Sequence, residues 1–180
     1  GVEAAIADPL AGELARRAAS EVIVTDVEFT ANEAGVAGGG LYLATPRSGS
    51  ESNAQRLSFW DNVAGERGGA IYHAGGTPLR HVSSTRNLAG LEANSVFVVA
   101  SSIFVAQMAT PRIDFFTTHD EGQSAIVLGR PTEIHASALN GGCSGPWIDL
   151  GNNFRRSDLS GCPGFAVAAA QMGLELGNFG

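Results

Sequence analysis

Apolar and polar residues alternate with the period of β-strands over residues 21–165. Short apolar segments, such as Val22 to Val24 and Val27 to Phe29, stand between turns rich in Gly, Asn, Ser and Pro. Alternating β-branched and aromatic residues between turn residues are typical of short strands. The pattern therefore predicts an all-β structure over residues 21–165, with the Ala-rich residues 166–180 as a C-terminal cap or tail.

Residues 1–20 follow a different pattern. Asp8 and Pro9 form a helix start signal, and Leu10 and Leu14 then recur at helical spacing. We predict a short helix here that covers the open end of the strand array, because an uncovered sheet edge invites unwanted pairing.

One sequence phrase occurs twice, 30 residues apart, and a third time in weaker form. The segment from Phe29 to Tyr42 aligns without a gap on the segment from Phe59 to Tyr72. Residues 84–97 keep its asparagine, its glycine and its closing apolar pair. Repeats of roughly 20 to 50 residues are typical of stacked supersecondary units. We therefore predict a single domain over residues 1–180, a parallel β-helix of about five or six coils.

Stacking of such coils explains which residues recur. Asn32, Asn62 and Asn87 are expected to hydrogen-bond their own turn and the asparagine of the next coil. A calcium-binding role is disfavoured, because calcium-binding nonapeptide repeats carry an Asp in each Gly-rich turn. Corner glycines, expected to adopt left-handed backbone angles, and columns of aromatic rings recur in the same way. The corner glycines are Gly35, Gly65 and Gly90, and the columns are Phe29 with Phe59, and Tyr42 with Tyr72 and Phe97.

The composition disfavours two classes of partner, nucleic acids and lipid membranes. The chain of 180 residues has a formal net charge of −7, and its 11 basic residues are all Arg. Without a basic stripe, attraction to nucleic-acid phosphates and to anionic lipid is weak. The longest apolar run, Ser95 to Ala109, is interrupted by polar residues and is shorter than the ~20 residues of a spanning helix. We therefore expect neither nucleic-acid binding nor membrane insertion.

Two cysteines, Cys143 and Cys162, each stand in a loop of Gly, Ser and Pro. Glycine-flanked cysteines in a low-charge repeat chain favour a disulfide over two free thiols, and no ligand spacing suggests a metal site. A disulfide indicates an oxidising setting, so we expect an extracellular or cell-surface protein. The start at Gly1, with neither an initiator Met nor a secretory signal, is typical of a processed or excised product.

Two short motifs resemble those of a known family. Phe59 to Asn62 and Gly68 to Ile71 read Phe-x-x-Asn and Gly-Gly-Ala-Ile. They resemble the repeat of the polymorphic outer-membrane protein family and of related secreted right-handed parallel β-helix proteins. The stretches around Cys143 and Cys162 are similar to the paired-cysteine closing coil of those bacterial proteins. The resemblance covers residues 22–165 and implies a right-handed solenoid with a surface-displayed, adhesive role.

Motifs for catalysis are sparse. Many parallel β-helix proteins are polysaccharide lyases or hydrolases, and that chemistry needs clustered carboxylates with a basic residue nearby. The acidic cluster here contains Asp120 and Glu121, for which Arg112 is a candidate partner. No Gly-x-Ser-x-Gly nucleophile elbow occurs in the sequence. Three histidines are interpreted as isolated surface side chains: His73, His81 and His135.

The leading interpretation is non-enzymatic: an extracellular structural or adhesive module that self-associates end to end into a filament or surface layer. The expected partners are further copies of the chain, or host or surface glycans or proteins, with no catalytic residues, cofactor or metal. The alternative is a carbohydrate-active enzyme or glycan-binding module of the pectate-lyase-like type. In that case Asp120, Glu121 and an arginine such as Arg112 or Arg130 converge on one concave face, and the sugar-stacking rings are Trp60, Trp147, Tyr42 and Tyr72.

Overall fold

The computed structural model of the chain describes residues 23–43, 53–98, 110–119, 125–156 and 161–167. These ranges contain strands and turns and no helix. Every strand pairing among them is parallel, so the prediction of an all-β fold with parallel strands is confirmed. The predicted helix within residues 1–20 lies outside the described residues, as do residues 168–180 of the predicted tail. Handedness and the single-domain organisation stay predictions.

The strands form three sheets. Sheet 1 contains β1 (Ile23–Thr30), β4 (Asn53–Trp60), β7 (Leu79–Thr85), β10 (Arg112–Thr118), β12 (Thr132–His135), β13 (Ala138–Leu139), β15 (Trp147–Asp149), β16 (Phe154–Arg156) and β17 (Phe165–Val167). Sheet 2 contains β3 (Leu41–Leu43), β6 (Ile71–His73), β9 (Val96–Val98), β11 (Ile126–Leu128) and β14 (Cys143–Ser144). Sheet 3 contains β2 (Glu33–Ala34), β5 (Val63–Ala64) and β8 (Leu88–Ala89).

The chain runs through the sheets in a fixed order, and we call one complete circuit through them a pass. The first three passes run through sheet 1, then sheet 3, then sheet 2: β1 to β3, β4 to β6, and β7 to β9. Each pass pairs in register with the next, so that Phe29 faces Phe59 and Tyr42 faces Tyr72. Equivalent residues are 30 residues apart between the first two passes and 25 between the next two. The separation rises to 34 residues between β7 and β10, where Leu79 pairs with Ile113, and then falls to 21 and 16 residues.

Inward-facing side chains of sheets 1 and 2 form one apolar core. Its fully buried members include Leu57, Phe59, Ile71, Leu79, Val82, Val96, Ile113, Phe116, Ile126, Leu128, Ile134 and Leu139. Burial of each such side chain contributes roughly 1.5–3 kcal/mol to folding. The first pass is less covered, because Val24, Val27, Phe29 and Leu41 are only partly buried.

Residues with a left-handed backbone conformation form two columns in sheet 1 and bend its strands. One column lies in the middle of the strands and the other at their ends, immediately before the repeated asparagines. The first consists of Asp26, Arg56, His81 and Phe115, and the second of Ala31, Asp61 and Arg86, all with φ between 52° and 57°. Non-glycine residues rarely adopt this conformation. All seven side chains are exposed, so the bends set two lines of side chains on the outer face of the sheet.

Candidate functional site

The three repeated asparagines form a hydrogen-bonded ladder beyond the ends of β1, β4 and β7. The Oδ1 of Asn62 accepts hydrogen bonds from the backbone N–H of Asn32 at 3.1 Å and from its Nδ2 at 2.9 Å. The Oδ1 of Asn87 accepts from the same atoms of Asn62 at 3.0 and 2.8 Å. The Nδ2 groups of Asn62 and Asn87 also donate to the carbonyls of Phe29 and Phe59. The ladder thus satisfies backbone groups that the turns leave outside the sheets.

A further asparagine, Asn153, has the same geometry and was missed by the sequence analysis. Its buried Oδ1 accepts from the backbone N–H of Ser137 at 3.0 Å, and its Nδ2 donates to the carbonyl of Ile134 at 2.9 Å. Its available signal is an asparagine directly before the apolar strand residue Phe154. The surrounding repeat phrase has faded by this point, so the signal alone does not set the register.

The repeated corner glycines have a role different from the predicted one. Gly35, Gly65 and Gly90 do not have positive φ, and the left-handed glycines of these turns are Gly38 and Gly68, with φ of 69° and 65°. A Cβ on Gly65 would overlap the carbonyl oxygen of Gly35, and a Cβ on Gly90 would overlap that of Gly65. The prediction of left-handed angles is therefore wrong, and the glycine is required because stacked backbones approach too closely for a side chain.

The repeated aromatic residues lie in two columns. Phe29 and Phe59 stack with ring centroids 4.8 Å apart and an interplanar angle of 4°. Tyr72 stacks between Tyr42 at 4.9 Å and Phe97 at 5.4 Å. Burial raises the pKa of the Tyr72 phenol, and the neighbouring Tyr42 adds to this effect. Because both faces of Tyr72 are covered by other rings, this side chain is not an open platform for a sugar.

The two tryptophans proposed as sugar-stacking rings are also engaged. The guanidinium of Arg86 lies 5.7 Å from the ring centroid of Trp60. The Nε1 of Trp147 donates to the carbonyl of Gly161 at 2.9 Å. Both rings remain partly exposed.

Cys143 and Cys162 are joined, as predicted, in a disulfide with Cα atoms 4.8 Å apart. The bond connects β14 of sheet 2 to the segment that precedes β17 of sheet 1. Their separation of 19 residues is short, and closing a loop of this size stabilises the folded chain by about 3 kcal/mol. The last described passes are therefore fixed to each other covalently.

His73 is a core residue, so its interpretation as a surface side chain is wrong. It aligns with Leu43 and Val98 in sheet 2 and is 1% exposed. Its Nε2 donates to the carbonyl of Thr77 at 2.8 Å, and its Nδ1 has no hydrogen-bond partner within the described ranges. Burial lowers the pKa of His73 to about 4, and the charge of Arg130 acts in the same direction. The imidazole is therefore neutral at pH 7.

His81 and His135 are exposed or half-buried, but they are not isolated. Both contact Phe115, which lies at the bend of β10. The ring of His81 stacks on Phe115 at 4.6 Å with an interplanar angle of 4°, and His135 meets the same ring edge-on at 5.9 Å. Three neighbouring strands thus contribute one ring each to a short outer column.

Asp114 lies beside this column at the centre of an ionic cluster. Its register neighbours are Arg80 in β7 and His135 in β12, and Arg112 lies two residues before it on the same face of β10. The Nε of Arg112 donates to both carboxylate oxygens, at 3.0 and 2.8 Å. The Nε of Arg80 lies 3.6 Å from Oδ2 and the Nδ1 of His135 lies 3.5 Å from Oδ1. We call these four residues the Asp114 cluster.

The sequence pattern singles out Arg112 but not the residues that surround it. Asp120 and Glu121, its expected partners, lie outside the described residues, so their convergence stays a prediction. The local signal for Asp114 is the Arg-Ile-Asp sequence of residues 112–114, which alternates as a strand does. Arg80 and His135 are distant in sequence, and only the register of three strands brings them together.

Two other features, a metal site and a membrane-spanning helix, are absent from the described ranges. No three His, Cys, Asp or Glu side chains there are grouped so that they could hold a metal ion. That part of the chain also contains no helix of the length and apolar character needed to cross a membrane.

Comparisons with known proteins were made at three levels. No protein-family model, no curated protein and no solved structure gives a significant match to the chain. The function is therefore inferred from the residues and geometry of the chain itself.

Proposed function

We propose that the chain is a right-handed parallel β-helix that serves as an extracellular structural or adhesive module and self-associates end to end. The helical winding is supported by the repeated visits to sheets 1, 3 and 2 and by the in-register parallel pairing of successive passes. The ladder from Asn32 to Asn87 supports the same winding, because it connects equivalent turns of three passes.

An extracellular location is supported by the disulfide between Cys143 and Cys162, because such bonds persist in oxidising compartments. The resemblance of residues 59–71 to repeats of the polymorphic outer-membrane protein family is in line with display at a cell surface. We propose no catalytic role, since His81, His135 and the Asp114 cluster are engaged in ring contacts and ion pairs, and His73 is buried in the core.

Self-association is proposed on one observation: the first pass carries residue types similar to those of the second, but its side chains are less buried. Val27 and Phe29 are partly buried, whereas their register partners Leu57 and Phe59 are fully buried. On the same pass, Ile23 is 62% exposed and Tyr42 is 57% exposed. The first pass can pair in register with a further strand and stack against a further ring, and its apolar side chains are exposed. A second copy of the chain could bind there.

Sedimentation velocity and electron microscopy over a range of protein concentrations test this proposal. We expect concentration-dependent oligomers or rods from the wild-type chain. Tyr42→Lys and Ile23→Lys place a charge on the first pass, so each should raise the concentration at which assembly begins by about tenfold or more.

Leu88→Lys is the matched control, because Leu88 is also 57% exposed but lies in the third pass. This variant should assemble like the wild type. A wild-type chain that stays a monodisperse monomer at millimolar concentration would refute end-to-end assembly. Equal loss of assembly in the Leu88 variant would show that the contact is not at the first pass.

A further inference from the structure

Four arginines on or beside the outer face of sheet 1 differ in how they use their hydrogen-bond donors. Arg56 binds Asp26 through both Nε and Nη2, and Arg86 binds Asp61 in the same way. The pKa values of both carboxyl groups are lowered by these hydrogen bonds. In each pair one carboxylate occupies the Nε–Nη2 edge of one guanidinium, so the two charges of the pair cancel each other.

The two arginines of the Asp114 cluster share a single carboxylate. Arg112 reaches Asp114 through Nε alone, and Arg80 approaches the same carboxylate with its Nε. The Nη groups of both arginines make no hydrogen bond to any part of the chain that the structure describes. Both side chains are more than two-fifths exposed, so these donors are accessible from solvent.

Asp114 holds the two guanidinium groups side by side, and its single negative charge does not neutralise both of them. Its side chain is 5% exposed, and its two oxygens are surrounded by Arg80, Arg112 and His135. The two guanidinium charges exceed the single carboxylate charge of Asp114 by one, and Glu133, the register partner of Arg112, forms no ion pair with Arg112 within the described ranges. A buried carboxylate thus fixes two cations side by side, and a second carboxylate could bind them from the solvent side.

An apolar ring lies directly beside these donors. Phe115 is 48% exposed and is held between the rings of His81 and His135. Because its neighbours fix its orientation, little side-chain freedom is lost when a ligand packs against its exposed edge. The patch therefore offers anion recognition and an apolar contact at adjacent strand positions.

We propose that the Asp114 cluster binds the carboxylate of an acidic sugar within a glycan that carries isolated negative charges. Arg80 and Arg112 donate to the carboxylate through their Nη groups, and the sugar ring packs beside Phe115. Two guanidinium groups that share one carboxylate favour a single bound carboxylate, whereas the neighbouring Glu133 and the chain's net charge of −7 disfavour densely charged polymers. An exposed ion pair alone gives little affinity, so the neighbouring ring contact is needed for binding.

The glycan site specifies a class of ligand for the adhesive role, and in this respect it rests on the proposed function. The two can fail separately, because glycan binding is measured on the dilute monomer and assembly at high concentration. A chain that assembles but binds no acidic glycan would overturn only the glycan site.

Isothermal titration calorimetry with three probes tests the site: an oligosaccharide with one terminal glucuronate, its counterpart with terminal glucose, and free glucuronate. We expect the acidic oligosaccharide to bind at least tenfold more tightly than either of the other two. Equal binding of the neutral oligosaccharide would overturn recognition of the carboxylate. Equal binding of free glucuronate would mean that the cluster takes small anions and would overturn the glycan assignment.

Variants separate this site from general electrostatics. Arg80→Gln and Arg112→Gln should each weaken binding of the acidic oligosaccharide at least tenfold, whereas Arg56→Gln, on the same face, should leave it unchanged. Arg112→Lys keeps the charge that compensates Asp114 but loses the planar fork, so it should fold and still bind at least threefold more weakly. Thermal unfolding of each variant checks folding. Undiminished binding by Arg112→Lys, or equal loss in Arg56→Gln, would overturn the proposal.

Discussion

Asn62 lies in a turn between sheets 1 and 3, where its side chain joins the backbones of neighbouring passes. It accepts from the backbone N–H of Asn32, donates to the carbonyl of Phe29 and donates to the side chain of Asn87. Asn62 is fully buried, whereas Asn32, at the end of the ladder, is exposed. A buried backbone group left without its partner costs more than an exposed one, because water cannot replace the lost hydrogen bond.

We therefore expect Asn62→Ala to lower the free energy of unfolding by roughly 3 kcal/mol. Asn32→Ala removes a donor at the exposed end of the ladder and should cost about 1 kcal/mol or less. Urea denaturation followed by circular dichroism measures both values. Equal destabilisation by the two substitutions would contradict a ladder whose strength comes from burial.

His73 makes stability depend on pH in a defined window. Its pKa is about 4 in the folded chain, below the ordinary histidine value of 6.5, because burial disfavours the charged form. Between these two values the unfolded chain binds more protons than the folded chain, so stability is lost as pH falls. Above about pH 6.5 both states are neutral, and below about pH 4 both are protonated, so the effect of His73 is constant there.

The wild-type chain should lose about 3 kcal/mol of unfolding free energy between pH 6.5 and pH 4. His73→Gln keeps a donor for the carbonyl of Thr77 but does not titrate, so its stability should change much less over this range. Denaturant titrations at half-unit pH steps provide the comparison. Parallel pH profiles for the two proteins would exclude His73 as the cause.

At the scale of strands and turns, spacing between passes decides which residues are allowed. A Cβ on Gly65 meets the carbonyl of Gly35, whereas a Cβ on Gly35 meets nothing within 4 Å. The two glycines occupy the same place in the repeat, but only Gly65 has a pass stacked on that side within the described ranges. The same residue type is thus required in one pass and optional in another.

Gly65→Ala should destabilise the chain by about 2 kcal/mol, because the stacked turn has to move away from the new methyl group. Gly35→Ala should leave stability unchanged or raise it by about 0.5 kcal/mol through reduced freedom of the unfolded chain. Thermal and urea unfolding of this matched pair measure the difference. Similar destabilisation at both positions would show that backbone conformation, and not stacking, requires glycine here.

The sequence was informative where equivalent positions carry the same residue type. Asn32 with Asn62, and Phe29 with Phe59, could be aligned because their identities repeat, and their contacts follow from the alignment. The same alignment, extended by one residue, places His73 opposite Leu43, but a titratable residue in an aliphatic column does not indicate burial by its type. Its position in the core depends on the register of sheet 2, which no property of the residue itself reveals.

At the scale of the whole molecule, changing pass lengths limited what the sequence could predict. A constant spacing of 30 residues would have aligned every strand, but the separation changes to 25, then to 34 between Leu79 and Ile113, and then to 21 and 16. The Asp114 cluster lies where this spacing is irregular, between β7, β10 and β12. Loop length varies freely because the strand register is fixed by side-chain packing and not by the loops.

The short passes at the end of the described chain have a consequence for any assembly of copies. A stack that begins with long passes and finishes with short, disulfide-fixed ones has unlike front and back surfaces. Front-to-back contacts are heterologous, and unless they close into a ring they produce a directional filament. Growth at the two tips of such a filament would then be chemically distinct, with one tip presenting the aromatic first pass and the other the oxidised last one.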